Sequence, residues 1–258
     1  MAISIDTVYQ KVLAFANKEQ RGYVTPQEFN LFADQAQKEI FEQYFYDIDQ
    51  YRRRPSNDHV YGDVLGNLEE KLSHFKKHDV NVSSKLDTNG DVYFSNSFVY
   101  RLGMVRVKNK AGKHHYIAEE MKMEEEFLLY KNSPLAKYTK KRPIYWKRKS
   151  NTNWPGGEGI AIKIYPPPQV STPYDASVDG SVLISYIQVP SKPVWGYVVV
   201  NDKALYNVDA STNFELHPSE ESELVYKILT SAGVAIEKPQ LVQVASGLDM
   251  AKIQQEKQ

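Results

Sequence analysis

The sequence lacks cysteine and net charge, and each absence excludes a class of protein. Without cysteine among its 258 residues, the chain cannot form a disulfide scaffold or use a thiolate, and it lacks the commonest ligand of structural zinc. The 32 basic and 32 acidic residues balance, which excludes a globally basic nucleic-acid binder but allows a local basic patch. Long apolar runs are absent too, so we expect no membrane span, and residues 1–6 have no features of a signal peptide.

Known catalytic and metal-binding patterns fail when their spacing is checked. Asp87 to Asp91 resembles a calcium loop, but its glycine is fourth rather than sixth, and Phe98 stands where the loop needs glutamate. A hairpin turn at Asn89-Gly90 explains the segment better. His74 and His78 are four residues apart but lack the adjacent glutamate and the third ligand of a zinc enzyme. We therefore predict no enzyme activity, no cofactor and no metal.

Helical periodicity extends over residues 1–78. Thr25, Pro26 and Glu28 form a helix start in which threonine caps, proline takes the first position and glutamate completes a capping box. We expect this helix to reach about Asp49, and a shorter helix to follow over residues 64–77. Apolar residues at three- and four-residue steps predict the buried face of the longer helix: Phe29, Phe32, Ala33, Ala36, Ile40 and Tyr44.

Alternating apolar residues over 79–215, for example from Ile160 to Ile164, predict a β-rich domain. One inserted helix is expected near 117–131. Residues 216–258 are expected to form C-terminal helices that end in a polar tail. The predicted fold class is therefore α+β, with an N-terminal helical bundle or hairpin, a β-rich middle domain, and C-terminal helices that pack back on the bundle.

A basic stretch from Lys131 to Lys149 contains eight lysines and arginines and no acid, with aromatic residues between them. Such a stretch can follow the phosphates of a nucleic acid. It can also meet the acid-rich segment Glu119 to Glu126 of a neighbouring copy, or remain a solvated loop. The candidate interface or DNA-facing residues within it are Lys137, Lys140, Lys141, Arg142, Trp146, Lys147, Arg148 and Lys149.

Several local phrases, spread over most of the chain, resemble the head-to-tail adaptor or connector-ring proteins of short-tailed bacteriophages. The resemblance is closest to the first ring protein below the portal in crAss-like phages. None of the phrases is a catalytic signature. They run through residues 5–6, 17–26, 29–30 and 36–37, then Asn132-Ser133-Pro134, Arg142 to Trp146, Ile164-Tyr165-Pro166, Tyr186 to Pro190, Pro193 to Tyr197 and Phe214 to Glu221.

The resemblance implies a virion protein that is made in the cytoplasm of the bacterial host and present at the portal–tail junction as a ring of about twelve copies. Its expected partners are further copies of itself, the portal protein, the next tail ring or tail proteins, and capsid or fibre proteins. DNA would pass through the channel without sequence-specific binding. The usual core of this family is a helical bundle, and the β-rich middle region goes beyond the smallest adaptors.

Two other functions remain open from the sequence. The first is a nucleic-acid-binding factor that uses the basic stretch 131–149 and binds with a steep salt dependence. The second is a virion-associated carbohydrate-active enzyme with Trp146, Trp154 and Trp195 as substrate platforms, although no tuned carboxylate pair is recognisable beside them. Because the chain is neutral overall, we expect a ring wall along which DNA slides rather than a wall to which DNA adheres.

Overall fold

The chain folds into two compact units in this computed structural model. The helical unit comprises Met1–His74 and Pro190–Gln258, and the β unit comprises Phe75–Val189. The boundaries predicted from the sequence lay after residues 78 and 215. The segment 190–215 instead joins the helical unit, because its residues bond to the first two helices. The structure describes residues 3–16, 24–53, 59–83, 90–95, 99–108, 114–149, 159–168, 181–201, 203–235 and 239–256.

The predicted α+β class and its layout are confirmed, with helices at both ends of the chain and a β-rich middle. The C-terminal helices pack back on the N-terminal ones, since the helix Glu221–Ala235 contacts both Ile5–Ala16 and Pro26–Arg53. The elements of the helical unit are α1 (Ile5–Ala16), α2 (Pro26–Arg53), α3 (His59–Ser73), the strands β9 (Tyr197–Val200) and β10 (Lys203–Tyr206), a short 3-10 helix (Pro218–Glu220), α5 (Glu221–Ala235) and α6 (Pro239–Glu256).

Local capping starts the first two helices, the second of them where the sequence predicts. The Ser4 hydroxyl accepts a hydrogen bond from the main-chain N–H of Thr7 at 3.4 Å. The Glu28 N–H donates to the Thr25 hydroxyl at 3.3 Å, and the Thr25 N–H donates to the Glu28 carboxylate at 3.0 Å. This is the predicted capping box, which satisfies N–H groups that have no partner inside the helix. Hydrogen bonds from the Thr25 hydroxyl and then from its N–H lower the pKa of Glu28.

An apolar core lies between the helices of this unit. The face predicted on α2 is confirmed, with Phe32 half-buried and its other members buried. Because α1, α2 and α5 each present one apolar face, burying these faces together removes them from water and stabilises the unit. Completely buried side chains from other parts of this unit include Ile5, Val8, Phe214, Leu216, Leu224 and Ile228.

The observed ends of two helices differ from the predicted ends. Helix α2 continues to Arg53, past the predicted end near Asp49, and α3 occupies His59–Ser73 rather than 64–77. A strand begins at Lys76, so His74 lies in a turn and His78 in a strand. The two histidines therefore do not share a helical face.

The polar tail predicted after residue 249 is helical up to Glu256. Two charged side chains of α6 hold it to its neighbours. The Lys252 ammonium lies 3.1 Å from a Glu220 carboxylate oxygen, and the Asp249 carboxylate lies 3.5 Å from the Lys227 ammonium. These partners are far away in sequence, so the periodicity that predicted C-terminal helices did not indicate that the last one continues through the tail.

The β unit contains two four-stranded sheets, with strand orders β1-β8-β3-β4 and β2-β7-β6-β5. All neighbouring strands are antiparallel except β5 and β6, which are parallel. The elements are β1 (Lys76–Asn81), β2 (Asp91–Ser95), β3 (Val99–Lys108), β4 (His115–Ile117), β5 (Glu119–Met121), α4 (Glu124–Asn132), β6 (Ile144–Lys149), β7 (Gly159–Tyr165) and β8 (Ser181–Gln188).

Both sheets contribute to one core in this unit. Val105 and Ile184 from one sheet pack in the same buried cluster as Ile162 and Ile164 from the other. The strand predicted from Ile160 to Ile164 is present, and Ile162 and Ile164 share its buried face because residues two apart on a strand share a face. The side chain of Ile160 lies outside the described part of the structure. Among the described residues of both units, no helix is long and apolar enough to cross a membrane.

The inserted helix predicted near 117–131 begins only at Glu124. The preceding residues form β4 and β5 instead, and β5 pairs with β6, which lies about 25 residues later. This pairing outweighs local helix propensity. The hairpin predicted at Asn89-Gly90 lies partly outside the described residues. Gly90 itself has a φ of 83°, a conformation that favours glycine, and an added Cβ would lie 2.7 Å from the Ile164 carbonyl oxygen.

Candidate interaction surfaces

Part of the basic stretch forms a compact turn after α4. The main chains of Thr139 and Arg142 bond to each other in both directions, at 3.0 and 3.2 Å, so Lys140 and Lys141 lie at the tip of the turn. With Lys137, these cations are exposed to solvent. We call Lys137, Lys140, Lys141 and Arg142 the basic turn. It places four candidate residues from the sequence on one loop.

The other candidate residues lie on β6, where successive side chains point to opposite faces. The Lys147 ammonium lies 2.8 Å from the Glu120 carboxylate, and the Arg148 guanidinium lies 2.8 Å from the buried carboxylate of Asp91. Trp146 is half-buried. Lys149 ends the strand, and its side chain lies outside the described part of the structure. The basic stretch is thus divided into an exposed turn and an ion-paired strand.

Glu120 and Tyr145 bond to each other beside this strand. The Tyr145 hydroxyl donates to the Glu120 carboxylate at 3.1 Å. Burial, and then the charge of Glu120, raise the pKa of Tyr145. Burial alone would raise the pKa of Glu120, but the hydrogen bond and charge of Lys147 lower it. Glu120 therefore stays ionised and holds β5 to β6, which is a structural role rather than that of a catalytic acid.

An acidic surface lies at the opposite end of α4 from the basic turn. Glu125 and Glu126 are exposed in the first turn of the helix, and Lys131 lies in its last turn. Glu119 is exposed too, but its main-chain N–H donates to the Pro143 carbonyl, beside the basic turn. Acids near a helix start and cations near its end match the helix dipole, so the arrangement also stabilises α4. The β unit consequently presents one negative and one positive surface.

A second candidate surface is the hairpin of β9 and β10, residues 197–206, which we call the apolar hairpin. Its register pairs Tyr197 with Tyr206, Val198 with Leu205, and Val200 with Lys203. Residues directly opposite each other share a face. The tyrosine pair therefore lies on the face that carries Val199, while Val198, Val200 and Leu205 lie on the other face. Val198 is 50 % exposed and Leu205 is 53 % exposed.

The base of the apolar hairpin is fixed to the helical unit through Trp195. This side chain is only 3 % exposed, its ring lies 4.3 Å from that of Tyr9, and its indole N–H donates to Asp6 at 3.0 Å. Its main-chain N–H donates to the Asn30 side chain at 2.7 Å. The Trp195 ring also lies 5.8 Å from that of Tyr206, so the tyrosine face of the hairpin faces the unit. The opposite face points away from it.

Gly196 explains why the hairpin base packs so closely. A Cβ at this position would lie 2.6 Å from the main chain of Ala210, closer than real contacts allow. The Gly196 N–H also donates to the Ser211 hydroxyl at 2.9 Å. These residues belong to the helical unit and not to the β-rich domain predicted over 79–215, so the surface was not expected from the sequence. The run Val198-Val199-Val200 beside Leu205 could have indicated this apolar surface, because three consecutive apolar residues lack the alternation of a half-buried strand.

A cluster of charged residues lies buried where α3, α5, α6 and the 3-10 helix meet. Glu220, which is 1 % exposed, lies 2.5 Å from the Lys71 ammonium and 3.1 Å from that of Lys252. Glu223 is also buried and lies 3.4 Å from Lys252. No pattern in the sequence had indicated this cluster of charged residues. We call the following six residues the buried ion cluster: Lys71, Glu220, Glu223, Lys227, Asp249 and Lys252.

The two glutamates of the cluster titrate in opposite directions. Burial opposes ionisation of Glu220, but the hydrogen bonds and charges of Lys71 and Lys252 outweigh it and lower its pKa to about 2. Burial and then the charge of Glu220 raise the pKa of Glu223 to about 7, against the opposing charges of Lys252 and Lys227. Two carboxylates this close cannot both be fully stabilised by the same lysine. The cluster thus fixes α6 in place, with Glu220 as its stable anion.

Comparisons with known proteins do not extend these observations. No protein-family model matches the chain, and no curated protein is significantly similar to it in sequence. Within the described ranges, no group of three or more histidine or acidic side chains is arranged to hold a metal ion. The surfaces that remain as candidate sites are the basic turn, the acidic surface and the apolar hairpin.

Proposed function

We propose that this chain is a non-enzymatic structural protein that associates with copies of itself into a ring. The observation that carries the proposal is the apolar hairpin, whose valines and leucine are exposed although its base is rigidly held. Folded monomers rarely expose contiguous apolar surface without a partner for it. A fixed hairpin also loses little conformational entropy on binding, which favours association.

A second support is the pair of opposite charges on the β unit. The acidic surface at Glu125 and Glu126 complements the basic turn at Lys140 and Lys141. If one copy places its acidic surface against the basic turn of the next, the contact is attractive and gives the copies a direction. Contacts between two different surfaces of one chain build rings when the rotation closes.

The resemblance to phage connector proteins is the basis for proposing that such a ring lies between portal and tail, around the DNA exit channel. The partners in this proposal are the portal protein, the next tail ring or tail proteins, and capsid or fibre proteins. The ion pairs of Lys147 and Arg148 reduce the positive charge that DNA would meet, and the chain as a whole is neutral. DNA slides most easily past a wall that does not bind its phosphates strongly.

Native mass spectrometry of the purified protein, alone and with a candidate portal ring, tests this function. We expect a ring, or about twelve copies retained on the portal. Replacing Val198 with aspartate, at a site 50 % exposed on the face of the hairpin that points away from the unit, should abolish assembly. Replacing Leu31, which is 64 % exposed on α2, with aspartate is the matched control and should leave assembly intact. A wild-type chain that stays monomeric and ignores the portal would refute the proposal.

Nucleic-acid binding through the basic turn is the second candidate function, favoured by its exposed cations. It predicts tight binding to duplex DNA or RNA with a steep salt dependence, lost when Lys140, Lys141 and Arg142 become glutamate. Changing three exposed lysines elsewhere to glutamate alters net charge equally and is the control: Lys77, Lys122 and Lys192. Equal loss in both variants would show that only overall charge matters.

A further inference from the structure

The neutral chain is divided into two units of opposite charge. The β unit contains 18 basic and 11 acidic residues, a formal net charge of +7. The helical unit contains 14 basic and 21 acidic residues, a formal net charge of −7. Two copies therefore repel each other through like units and attract each other through unlike ones. The balance of charge over the whole chain conceals this separation.

An exposed leucine lies beside the basic turn on the positive unit. Leu135 is 94 % exposed, more than any other large apolar side chain among the described residues. It follows Pro134, and the basic turn begins two residues later at Lys137. A side chain this exposed has almost no contact with its own chain. An apolar group flanked by cations fits an apolar pocket that has acids beside it.

A surface pocket of this kind lies on α2 in the negative unit. Its volume is about 290 Å³, and the described side chains that line it are Phe45, Tyr46, Asp49 and Gln50. An apolar cavity of about 150 Å³ is large enough for a benzene ring, so this pocket has room for a leucine side chain. Tyr46 is 61 % exposed, so its ring is open to a partner. We call this site the α2 pocket.

Acids predominate along α2 on one side of the α2 pocket. From Pro26 to Gln50, the helix carries six acids and a single base. Glu39 and Glu42 are exposed within the two turns before Tyr46. The arginines of α2 lie beyond the pocket, in the last turn of the helix. A positive partner is therefore attracted to the side that carries the two glutamates.

We propose that the α2 pocket of one copy receives Leu135 of the next copy, with the basic turn placed over Glu39 and Glu42. This inference rests on the ring function proposed above and names a contact through which successive copies join. The pocket and the leucine are two different surfaces of one chain. Such a contact is heterologous, so it extends from copy to copy until the ring closes.

A second copy fits these surfaces better than a nucleic acid does. Duplex phosphates would meet the cations of the basic turn but would leave Leu135 in water, and the negative helical unit would repel them. The acids of α4 are a weaker partner, because they belong to the same positive unit as the basic turn. Every copy carries both halves of the proposed contact, so pocket and leucine are always present at equal concentration.

Cross-linking between introduced cysteines tests the contact, because the natural chain has none. Pro134→Cys and Gln50→Cys place exposed thiols beside the contact and keep Leu135 and Tyr46. The double variant is assembled, alone or on the portal, and treated with a short bismaleimide. We expect a ladder of covalent multimers. Pro134→Cys with Gln27→Cys is the control and should give no ladder, because Gln27 is exposed on the same helix but about 34 Å from position 50 along its axis.

Each result leads to a distinct conclusion. Equal ladders from both double variants would show random collision and overturn the inference. A ladder from Pro134→Cys with Glu125→Cys, but not with Gln50→Cys, would assign the basic turn to the acids of α4 and overturn it too. Rings that form without a Gln50→Cys ladder would overturn the inference while the proposed ring function stands. A wild-type protein that forms no ring, alone or on the portal, removes both.

Substitution of the contact residues provides an independent readout. Leu135→Asp should weaken assembly about tenfold or more, since it places a carboxylate in an apolar pocket beside other acids. Leu31→Asp changes the net charge equally and should leave assembly intact. Lys141→Glu and Glu42→Lys should each weaken assembly, and together they should recover much of it because the attraction is restored with opposite signs.

All these sites are exposed, so circular dichroism should be unchanged in every variant. Absence of recovery in a folded double variant would contradict the contact. Unchanged assembly of a Lys141→Glu protein that has lost binding to duplex DNA would assign the basic turn to nucleic acid and would contradict it as well.

Discussion

Replacing Glu220 or Glu223 with glutamine should change the stability of the helical unit in opposite directions, although the two carboxylates lie in one cluster. The folded-state pKa of Glu220 is about 2, below its ordinary value of 4.5, so its charge stabilises the fold. That contribution is fully present above pH 4.5 and is lost as the pH falls toward 2. The folded-state pKa of Glu223 is about 7, so its ionisation destabilises the fold as the pH rises from 4.5 to 7.

The magnitudes follow from these shifts. At roughly 1.4 kcal/mol per pKa unit, the Glu220 charge contributes on the order of 3 kcal/mol at neutral pH. Its removal also relieves Glu223 of a neighbouring anion, so we expect Glu220→Gln to lose about 2 kcal/mol net. Glu223→Gln should gain up to about 3 kcal/mol at pH 8 but less than about 1 kcal/mol at pH 5, where folded Glu223 is already protonated.

Urea unfolding followed by tryptophan fluorescence measures both effects. Trp195 is the one tryptophan of the helical unit, so Trp146 and Trp154 are replaced by phenylalanine in every protein. With a slope of about 2 kcal/mol per molar urea, Glu220→Gln should lower the midpoint by about 1 M at pH 7. Equal shifts of the same sign for both variants, or a Glu223→Gln effect that does not grow between pH 5 and pH 8, would refute the reasoning.

Three further substitutions test the local structure. Thr25→Ala removes the capping box of α2 and should cost about 1 kcal/mol, seen as a lower urea midpoint of the helical unit. Gly196→Ala forces a Cβ against the main chain of Ala210, so limited proteolysis should cut the apolar hairpin faster than in the wild type. Ile162→Ala opens a cavity in the fully buried core of the β unit and should cost about 2–4 kcal/mol, reported by the fluorescence of Trp146, which is kept for this measurement.

Each of these three predictions has an outcome that would contradict it. Thr25→Ser keeps the hydroxyl and should behave as the wild type, so an equal loss in both would show that the cap does not act through its oxygen. Unchanged proteolysis of Gly196→Ala would mean that Ala210 moves aside at little cost. An Ile162→Ala variant that unfolds the helical unit at lower urea, but not the β unit, would show that the core is assigned to the wrong unit.

Features that depend on nearby residues were predictable from the sequence. The capping box of Thr25 and Glu28 joins residues three apart, and the buried face of α2 repeats every turn, so each can be recognised within a short window. The alternation from Ile160 to Ile164 predicted a strand for the same reason. The basic turn was also visible as a run of cations, though not its separation from Lys147 and Arg148.

Contacts between distant residues were not predictable. The strand at 119–121 exists because it pairs with β6, and a helix pattern nearby concealed it. The ion pairs of Lys147 with Glu120 and of Arg148 with Asp91 remove two cations from the predicted basic surface. The buried ion cluster joins Lys71 to residues about 150 positions later, and no local pattern indicates such a pair.

The sequence by itself determined that both ends of the chain are helical and that its middle is β-rich, together with the local caps and the neutral overall charge. Only the tertiary structure decided which surfaces are exposed. It assigned the hairpin at 197–206 to the helical unit through Trp195, and it turned the charges of Asp249 and Lys252 inward while Val244 and Leu248 stay exposed. Periodicity shows that one face of an element is apolar, but packing against distant residues determines whether that face meets the core or solvent.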